Sequence, residues 1–204
     1  MFQKLQDYIE KLDIQSVSSE RKEVLLPFVD YLQEKVNASA TISLNFICTH
    51  NSRRSHLSQI WAQAMAHYFR VYEINSYSGG TSKTAVYPMI LQVLEEAGFQ
   101  STQLSDEENA VYAVKFDADI HPVIAFSKMY DHPLNPVFGF AAVMTCSDAD
   151  ENCPFIPGTE KRIALNYEDP KIFDDSPMKH QKYEERSRQI ATELLYVFSK
   201  IKKS

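Results

Sequence analysis

Residues 43–55 read SLNFICTHNSRRS and predict a strand, a loop and the start of a helix. The mostly apolar run at 43–47 predicts a buried β-strand that ends at Cys48. Beyond Ser52 the pattern becomes helical, because apolar residues recur on one face. This apolar stripe consists of Leu57, Ile60, Trp61, Ala64, Met65 and Tyr68. The chain therefore passes from a strand through a short loop into a helix, which is the first half of a βαβ unit.

The loop between these elements has the spacing Cys-x5-Arg, from Cys48 to Arg54, and Ser55 follows it. Five intervening residues let the backbone curl around one tetrahedral anion, with N–H groups pointing inward at the positive end of a helix. Arg54 can bind two oxygens of the anion, while the same field favours a nucleophilic Cys48 thiolate to which Ser55 could donate a hydrogen bond. We predict an oxyanion-binding loop that contains Thr49, His50, Asn51, Ser52, Arg53 and Ser55.

Two residues of this loop have alternative interpretations. Cys48 could be an inert core thiol, although its position between an apolar strand and an amphipathic helix favours the nucleophile. Arg53 is one position short of the Cys-x5-Arg spacing, so we expect it to be solvated or to lie at the substrate rim.

The rest of the chain alternates strands and helices. Strands are predicted at 71–76, 110–116, 123–126, 140–145 and 162–166, and helices at 87–97 and 178–202. A turn, Ser78-Gly79-Gly80-Thr81, is predicted after the strand at 71–76, and Gly98 ends the first of the two helices. This order predicts an α/β three-layer sandwich with a central, mainly parallel sheet, in which the site lies at the carboxyl ends of the strands.

Two segments stand apart from this pattern. Residues 1–38 predict two helices, an N-terminal extension that covers the core or serves an interface, before an α/β domain at 39–204. Residues 127–138 contain prolines and look like an excursion from the α/β pattern.

Composition and charge exclude several classes of protein. The formal net charge of −6 over 204 residues argues against a general nucleic-acid binder, although one positive pocket would suffice for a small anion. No apolar run is long enough to cross a bilayer, and the N-terminus lacks a signal-peptide pattern, so we expect a cytoplasmic protein. Three cysteines do not build a disulfide framework.

The other two cysteines, Cys146 and Cys153, lie seven positions apart. On a helix their Cα atoms would be roughly 10.5 Å apart, whereas a disulfide needs about 4.4–6.8 Å. A bond between them requires the segment to loop or unwind, which is plausible because its intervening residues are poor helix formers. These residues are Asp148, Asp150 and Asn152. The alternatives are two inert core thiols, or a zinc site, for which four ligands are lacking.

A general acid is needed to protonate the leaving oxygen. Asp169 is the candidate, since it follows the last predicted strand and Pro170 stiffens its backbone. The alternative is an ordinary Asp-Pro turn before a helix.

Together these motifs resemble the low-molecular-weight protein tyrosine phosphatase superfamily, and more closely its thioredoxin-coupled arsenate reductases. The matching features are Cys-Thr-x-Asn-Ser-x-Arg-Ser at 48–55, the Ser-Gly-Gly-Thr run at 78–81, Thr-Cys-x6-Cys-Pro at 145–154 and Asp-Pro at 169–170. The resemblance covers about residues 42–200, apart from a longer region at 101–138, and leaves out residues 1–38. The cysteine pair is the feature that separates the reductases from the phosphatases.

The resemblance implies a role for each matching residue. Cys48 is the nucleophile, Arg54 the oxyanion clamp and Asp169 the acid. Asn51 and Ser78 support the loop. Cys146 and Cys153 are the two redox cysteines. No bound metal or cofactor is implied, and an external thioredoxin or similar dithiol supplies the electrons.

The sequence departs from the family at two positions. The family usually has Gly where His50 stands, and a positive φ costs His more than Gly. Either the loop is tuned differently here or His50 touches the substrate. Gln59 stands where the reductases often carry an acidic residue that helps to bind a cation, so a cation site is in doubt.

Three functions follow as hypotheses. The first is reduction of arsenate to arsenite by Cys48, with Cys146 and Cys153 as the redox relay. The alternative is a phosphatase that hydrolyses phosphate monoesters through a phosphocysteine. The third is a redox sensor or anion-binding module that acts on a partner through residues 1–38.

Overall fold

The structure is a computed structural model that describes residues 1–152 and 155–202. The helices are α1 (Gln3–Glu10), α2 (Ser19–Asn37), α3 (Arg54–Tyr68), α4 (Pro88–Ala97), α5 (Ser147–Asn152) and α6 (Lys179–Ser199). The strands are β1 (Ile42–Cys48), β2 (Ile74–Gly80), β3 (Gln100–Gln103), β4 (Tyr112–Lys115), β5 (Val123–Ala125), β6 (Phe140–Met144) and β7 (Thr159–Ala164). Short 3-10 turns lie at Ile14–Ser16 and Pro170–Phe173.

The central sheet contains four parallel strands in the order β2-β1-β6-β7. Leu44 and Phe46 of β1 pack into the main core with residues of α2, α3 and α6. On the opposite face, Ile47 packs with Ala149 of α5, and the amide of Asn45 donates to the backbone oxygen of Tyr130 in the 127–138 excursion. Side chains of β1 therefore alternate between two covered faces, as expected for a strand inside a parallel sheet. The predicted α/β fold with a mainly parallel sheet is confirmed.

The strands predicted at 110–116 and 123–126 are present, but they do not join the central sheet. They form β4 and β5 of a separate antiparallel sheet with the order β3-β4-β5. Strand β3, which is polar and largely exposed, was not predicted because it lacks the apolar alternation that marks a strand. In β4 only Val114 is buried, so this strand lacks the apolar faces that a position inside the central sheet requires.

The second strand of the central sheet also differs from the prediction. It was expected at 71–76 and followed by a turn, but β2 runs from Ile74 through Gly80. Its two glycines lie in the strand because other backbone approaches them closely. A Cβ at Gly79 would lie 2.3 Å from the Cα of Tyr130, and one at Gly80 would lie 2.8 Å from the amide nitrogen of Asn51. The end of β2 therefore lies in close contact with the backbone of the predicted loop.

The N-terminal helices cover the core. Apolar residues of α1 and α2 are fully buried in the same cluster as residues of α3 and α6. They are Leu5, Ile9, Leu25, Phe28 and Leu32. Of the two roles predicted for residues 1–38, the packing therefore supports covering the core. Across residues 1–152 and 155–202, no helix is both long enough and apolar enough to cross a membrane.

Candidate active site

The predicted oxyanion loop connects the carboxyl end of β1 to the first turn of α3. Its backbone is held by the segment after β2, since Thr81 donates to the Cys48 oxygen at 3.2 Å and Ser82 to the Thr49 oxygen at 2.8 Å. Positive φ occurs in this loop at Asn51 (44°) and not at His50, so the loop is tuned differently from one with Gly at position 50. Asn adopts this conformation more readily than most residues, so the loop needs no glycine at position 50. His50 is exposed, with its Nδ1 atom 2.8 Å from Ser82 Oγ.

The Cys48 sulfur is contacted by the hydroxyl that the sequence placed beside it. Cys48 is 3% exposed, and its Sγ atom lies 3.1 Å from Ser55 Oγ. The Asn51 side-chain amide donates to the same Ser55 oxygen at 2.9 Å, which leaves the Ser55 hydroxyl hydrogen free to point at the sulfur. The other end of the Asn51 side chain accepts a hydrogen bond from the backbone N–H of Lys128 at 2.9 Å. A chain of hydrogen bonds therefore runs from Lys128 to the sulfur.

The guanidinium of Arg54 lies beside Cys48 and contacts the loop that follows β7. Its Nη1 atom donates to the Tyr167 oxygen at 2.9 Å, and its Nη2 atom lies 2.5 Å from Asp169 Oδ2. Its Nε donor is buried without a hydrogen-bond partner among the described residues. The small pocket here is lined by Cys48, His50, Ser52, Arg53, Arg54 and Asp169.

The volume of this pocket, about 10 Å³, holds about one water molecule. A tetrahedral anion would therefore have to move Asp169 away from Arg54. Asp169 also caps the turn at Pro170–Phe173, because its Oδ1 atom accepts from the Lys171 amide at 3.0 Å. Asp169 thus forms the ordinary Asp-Pro turn of the alternative interpretation and also contacts Arg54.

The side chain of Arg53 lines the pocket, as one of the two expectations had it, but it is held by other side chains rather than solvated. Its Nη2 atom lies 2.7 Å from Asp174 Oδ2, its Nε atom donates to Tyr183 Oη at 2.6 Å, and its guanidinium stacks 4.1 Å from the centre of the Tyr87 ring. The prediction of a solvated residue is wrong because these partners lie on distant parts of the chain. Arg53 joins the loop to α6 and to the residue before α4.

Cys146 lies against the same loop. It is 1% exposed, and its Sγ atom lies 3.5 Å from Thr49 Oγ1 and accepts from the Ala149 amide at 3.4 Å. Cys48 and Cys146 belong to one apolar cluster. Helix α5 begins immediately after Cys146, and Cys153 lies outside the described residues.

Sequence reasoning missed a buried polar cluster behind the loop. The ammonium of Lys128, from the 127–138 excursion, lies 3.5 Å from Ser78 Oγ, which in turn lies 3.3 Å from His56 Nδ1. Burial lowers the pKa of Lys128 to about 8. Burial, and then the charge of Lys128, lower the pKa of His56 to about 3, so the imidazole is neutral. Lysine is rarely buried, and nothing in the sequence marks this one.

Gln59 makes a structural contact in this region, donating to the backbone oxygen of Ser76 at 3.0 Å. In the described ranges 1–152 and 155–202, no group of three or more His, Cys, Asp or Glu side chains could hold a metal ion.

Comparisons with known proteins agree with this geometry. No family model matches the chain. Arsenate reductase 2 of Staphylococcus epidermidis is 27% identical over 128 residues, which cover 63% of this chain and 78% of that protein. An arsenate reductase of Staphylococcus aureus (strain Newman) has the same identity and coverage.

Solved structures share the fold. A low-molecular-weight phosphotyrosine phosphatase of Vibrio cholerae superposes with a TM-score of 0.52 and 15% identity, covering 78% of this chain and 94% of that one. An arsenate reductase in the phosphate-binding state superposes with a TM-score of 0.50 and 16% identity, covering 79% and 99%. The chain is thus similar in sequence to arsenate reductases and shares its fold with low-molecular-weight phosphotyrosine phosphatases and an arsenate reductase, in agreement with the resemblance that the loop motif carries.

Proposed function

We propose that this protein reduces arsenate to arsenite, with Cys48 as the nucleophile and Cys146 and Cys153 as the redox relay. The observation that carries the proposal is the position of Cys146, whose sulfur lies 3.5 Å from the hydroxyl of Thr49, the residue that follows Cys48. A phosphatase needs no second cysteine at its loop. The similarity to arsenate reductases from two staphylococci supports the same conclusion.

In the proposed reaction, arsenate enters the loop and displaces the Asp169 carboxylate from Arg54. The Cys48 thiolate attacks arsenic, and an oxygen leaves as water after proton transfer from Asp169, which must therefore be protonated at this step. Arg54 and the backbone N–H groups of the loop stabilise the charge that develops on the remaining oxygens.

Electron transfer follows in two thiol steps. The Cys146 thiolate attacks the Cys48 sulfur, the sulfur–arsenic bond breaks, and its electron pair reduces As(V) to As(III), which leaves as arsenite. Cys153 then attacks the Cys146 sulfur, which forms the Cys146–Cys153 disulfide and restores the Cys48 thiolate. An external dithiol of the thioredoxin type reduces this disulfide, so the protein needs no bound cofactor. We place the cycle in the cytoplasm, where such dithiols are kept reduced.

Thiol counting after one turnover tests the proposal. Reduced protein is mixed with arsenate, free thiols are alkylated, and the modified residues are located by mass spectrometry. We expect two thiols to be lost, at Cys146 and Cys153, with one arsenite released per chain, and no loss when phosphate replaces arsenate. Cys146→Ser should end thioredoxin-supported turnover. Repeated turnover by this variant would refute the relay.

Phosphatase activity is the second candidate, because Cys48, Arg54 and Asp169 suffice for it and line one pocket. Here water would hydrolyse a Cys48 phospho-adduct, and Asp169 would act first as acid and then as base. Hydrolysis of an aryl phosphate that Cys146→Ser leaves unchanged, together with no arsenate-dependent loss of thiols, would favour this function over reduction.

A further inference from the structure

A second cavity, of about 350 Å³, is lined in part by Lys128 and shares no lining residue with the oxyanion pocket. Amide and hydroxyl side chains of α3 and β2, including Gln59 and Ser76, line one wall. Apolar side chains of β5 and of the residues beyond it, including Phe126 and Leu134, line the other. This size and this mixed lining are typical of sites for small organic molecules.

Lys128 is the cation of this cavity and has no counter-ion among the residues that the structure describes. It is 4% exposed, and within the same residues its ammonium has one hydrogen bond, of 3.5 Å to Ser78 Oγ, and lies 4.8 Å from the centre of the Phe126 ring. An ammonium has three donors, so this leaves donors unsatisfied. Within the described parts of the chain, Lys128 forms no ion pair, and no acidic side chain lines the cavity. A buried charge without a partner is costly, which favours an anionic ligand.

Polar atoms of residues that line the cavity also lack partners. Ser76 Oγ and Asn135 Oδ1 are both buried without a hydrogen bond among the residues that the structure describes. Buried polar groups in folded proteins are usually satisfied by protein, water or ligand. The groups without partners therefore line the same cavity as Lys128.

We propose that this cavity is a second binding site, for a small organic acid whose carboxylate pairs with Lys128 and whose compact apolar body packs against Phe126 and Leu134. The site is separate from the oxyanion pocket but connected to it. The backbone N–H of Lys128 holds Asn51, which in turn holds the Ser55 hydroxyl beside the Cys48 sulfur. A ligand that binds the Lys128 ammonium thus contacts the same residue whose backbone N–H holds Asn51 in the nucleophile loop.

Calorimetric titration of the full-length protein with benzoate, and with benzamide as its uncharged analogue, tests the proposal. We expect one benzoate per chain and binding by benzamide weaker by about tenfold or more, since a charge-assisted hydrogen bond is lost. Lys128→Met should weaken benzoate binding to a similar degree, whereas Lys11→Met, at an exposed lysine, should not change it.

Two further variants make the result decisive. Arg54→Met distinguishes this cavity from the oxyanion loop, and it should keep benzoate binding intact. Leu134 is 59% exposed, so Leu134→Asp and Leu134→Lys should fold normally and shift the affinity down and up, respectively. If circular dichroism shows that Lys128→Met is misfolded, the two Leu134 variants still test whether the cavity binds an anion. The proposal is overturned if the unmutated protein binds no benzoate or if Arg54→Met abolishes binding. It is also overturned if the affinity for benzoate is the same in Leu134→Asp and Leu134→Lys.

Discussion

The guanidinium of Arg54 is bound by the carboxylate of Asp169, with 2.5 Å between Nη2 and Oδ2. The proposed clamp for the anion is therefore held by the proposed acid. An entering oxyanion competes with Asp169 for the same donors, so part of its binding free energy is spent on separating this pair.

This competition predicts opposite effects of Asp169→Asn on binding and on rate. The amide is a weaker partner for Arg54, so inhibition by phosphate should become tighter. The rate of the first turnover with arsenate should fall by about 10²–10⁴, because the proton donor is lost. Stopped-flow kinetics and phosphate inhibition measure the two quantities. Glu168→Gln, at the neighbouring exposed residue, is the control, and an undiminished rate in Asp169→Asn would remove the residue from the mechanism.

The hydroxyl of Ser55 should control the reactivity of Cys48. Ser55→Ala removes the hydrogen bond to the sulfur, which stabilises the thiolate, so alkylation of Cys48 by iodoacetamide should slow by about tenfold at neutral pH. Ser58→Ala is a matched control, since Ser58 is also buried on α3 but its hydroxyl has no partner in the described ranges. Equal alkylation rates in both variants would show that Ser55 does not act on the sulfur.

The N-terminal extension should stabilise the loop that carries Asp169. Arg21 of α2 forms two hydrogen bonds to Glu193, of 3.0 and 2.8 Å, and its guanidinium lies 4.9 Å from the centre of the Tyr167 ring. Removing one partner of such a pair leaves a buried charge uncompensated. Arg21→Met should lower the free energy of unfolding by about 3 kcal/mol, whereas Arg21→Met with Glu193→Met should cost less. Urea denaturation measures both, and a greater loss in the double variant would contradict this account.

The parts of the site that the sequence predicted are those whose information is local. The loop between Cys48 and Arg54 could be located because a strand, an anion-binding spacing and a helix follow one another directly. Lys128 could not be placed, because it reaches Asn51 across 77 positions and buries a charge that is usually exposed. The ion pair of Arg53 could not be predicted for the same reason, since its partners Asp174 and Tyr183 are distant in sequence.

His56 should make the fold sensitive to acid. Its pKa is about 3 in the folded chain and about 6.5 when unfolded, so between these values the unfolded chain binds the extra proton. The contribution of neutral His56 to the free energy of unfolding is therefore fully present above pH 6.5. This contribution falls as the pH is lowered, by about 2 kcal/mol at pH 5. His56→Gln should remove this part of the pH dependence in urea denaturation at pH 7 and 5, and His121→Gln, at an exposed histidine, should retain it. A slope unchanged by His56→Gln would contradict the assignment.

Helix α5 should limit how fast the proposed Cys146–Cys153 disulfide forms. Helix α5 occupies all six positions between the two cysteines, and six helical residues rise by roughly 9 Å. A disulfide needs Cα atoms about 4.4–6.8 Å apart, so α5 must unwind before the bond can form. Arg162 of β7 holds this helix, because its Nη2 and Nε atoms lie 2.7 and 3.2 Å from Asp150 Oδ1. Asp150→Asn weakens this contact by about 1 kcal/mol, so disulfide formation under diamide should become about fivefold faster. Glu151→Gln, at an exposed position of the same helix, should leave the rate unchanged. Alkylation at timed intervals followed by mass spectrometry gives the rate, and equal rates in the two variants would mean that opening of α5 is not the slow step.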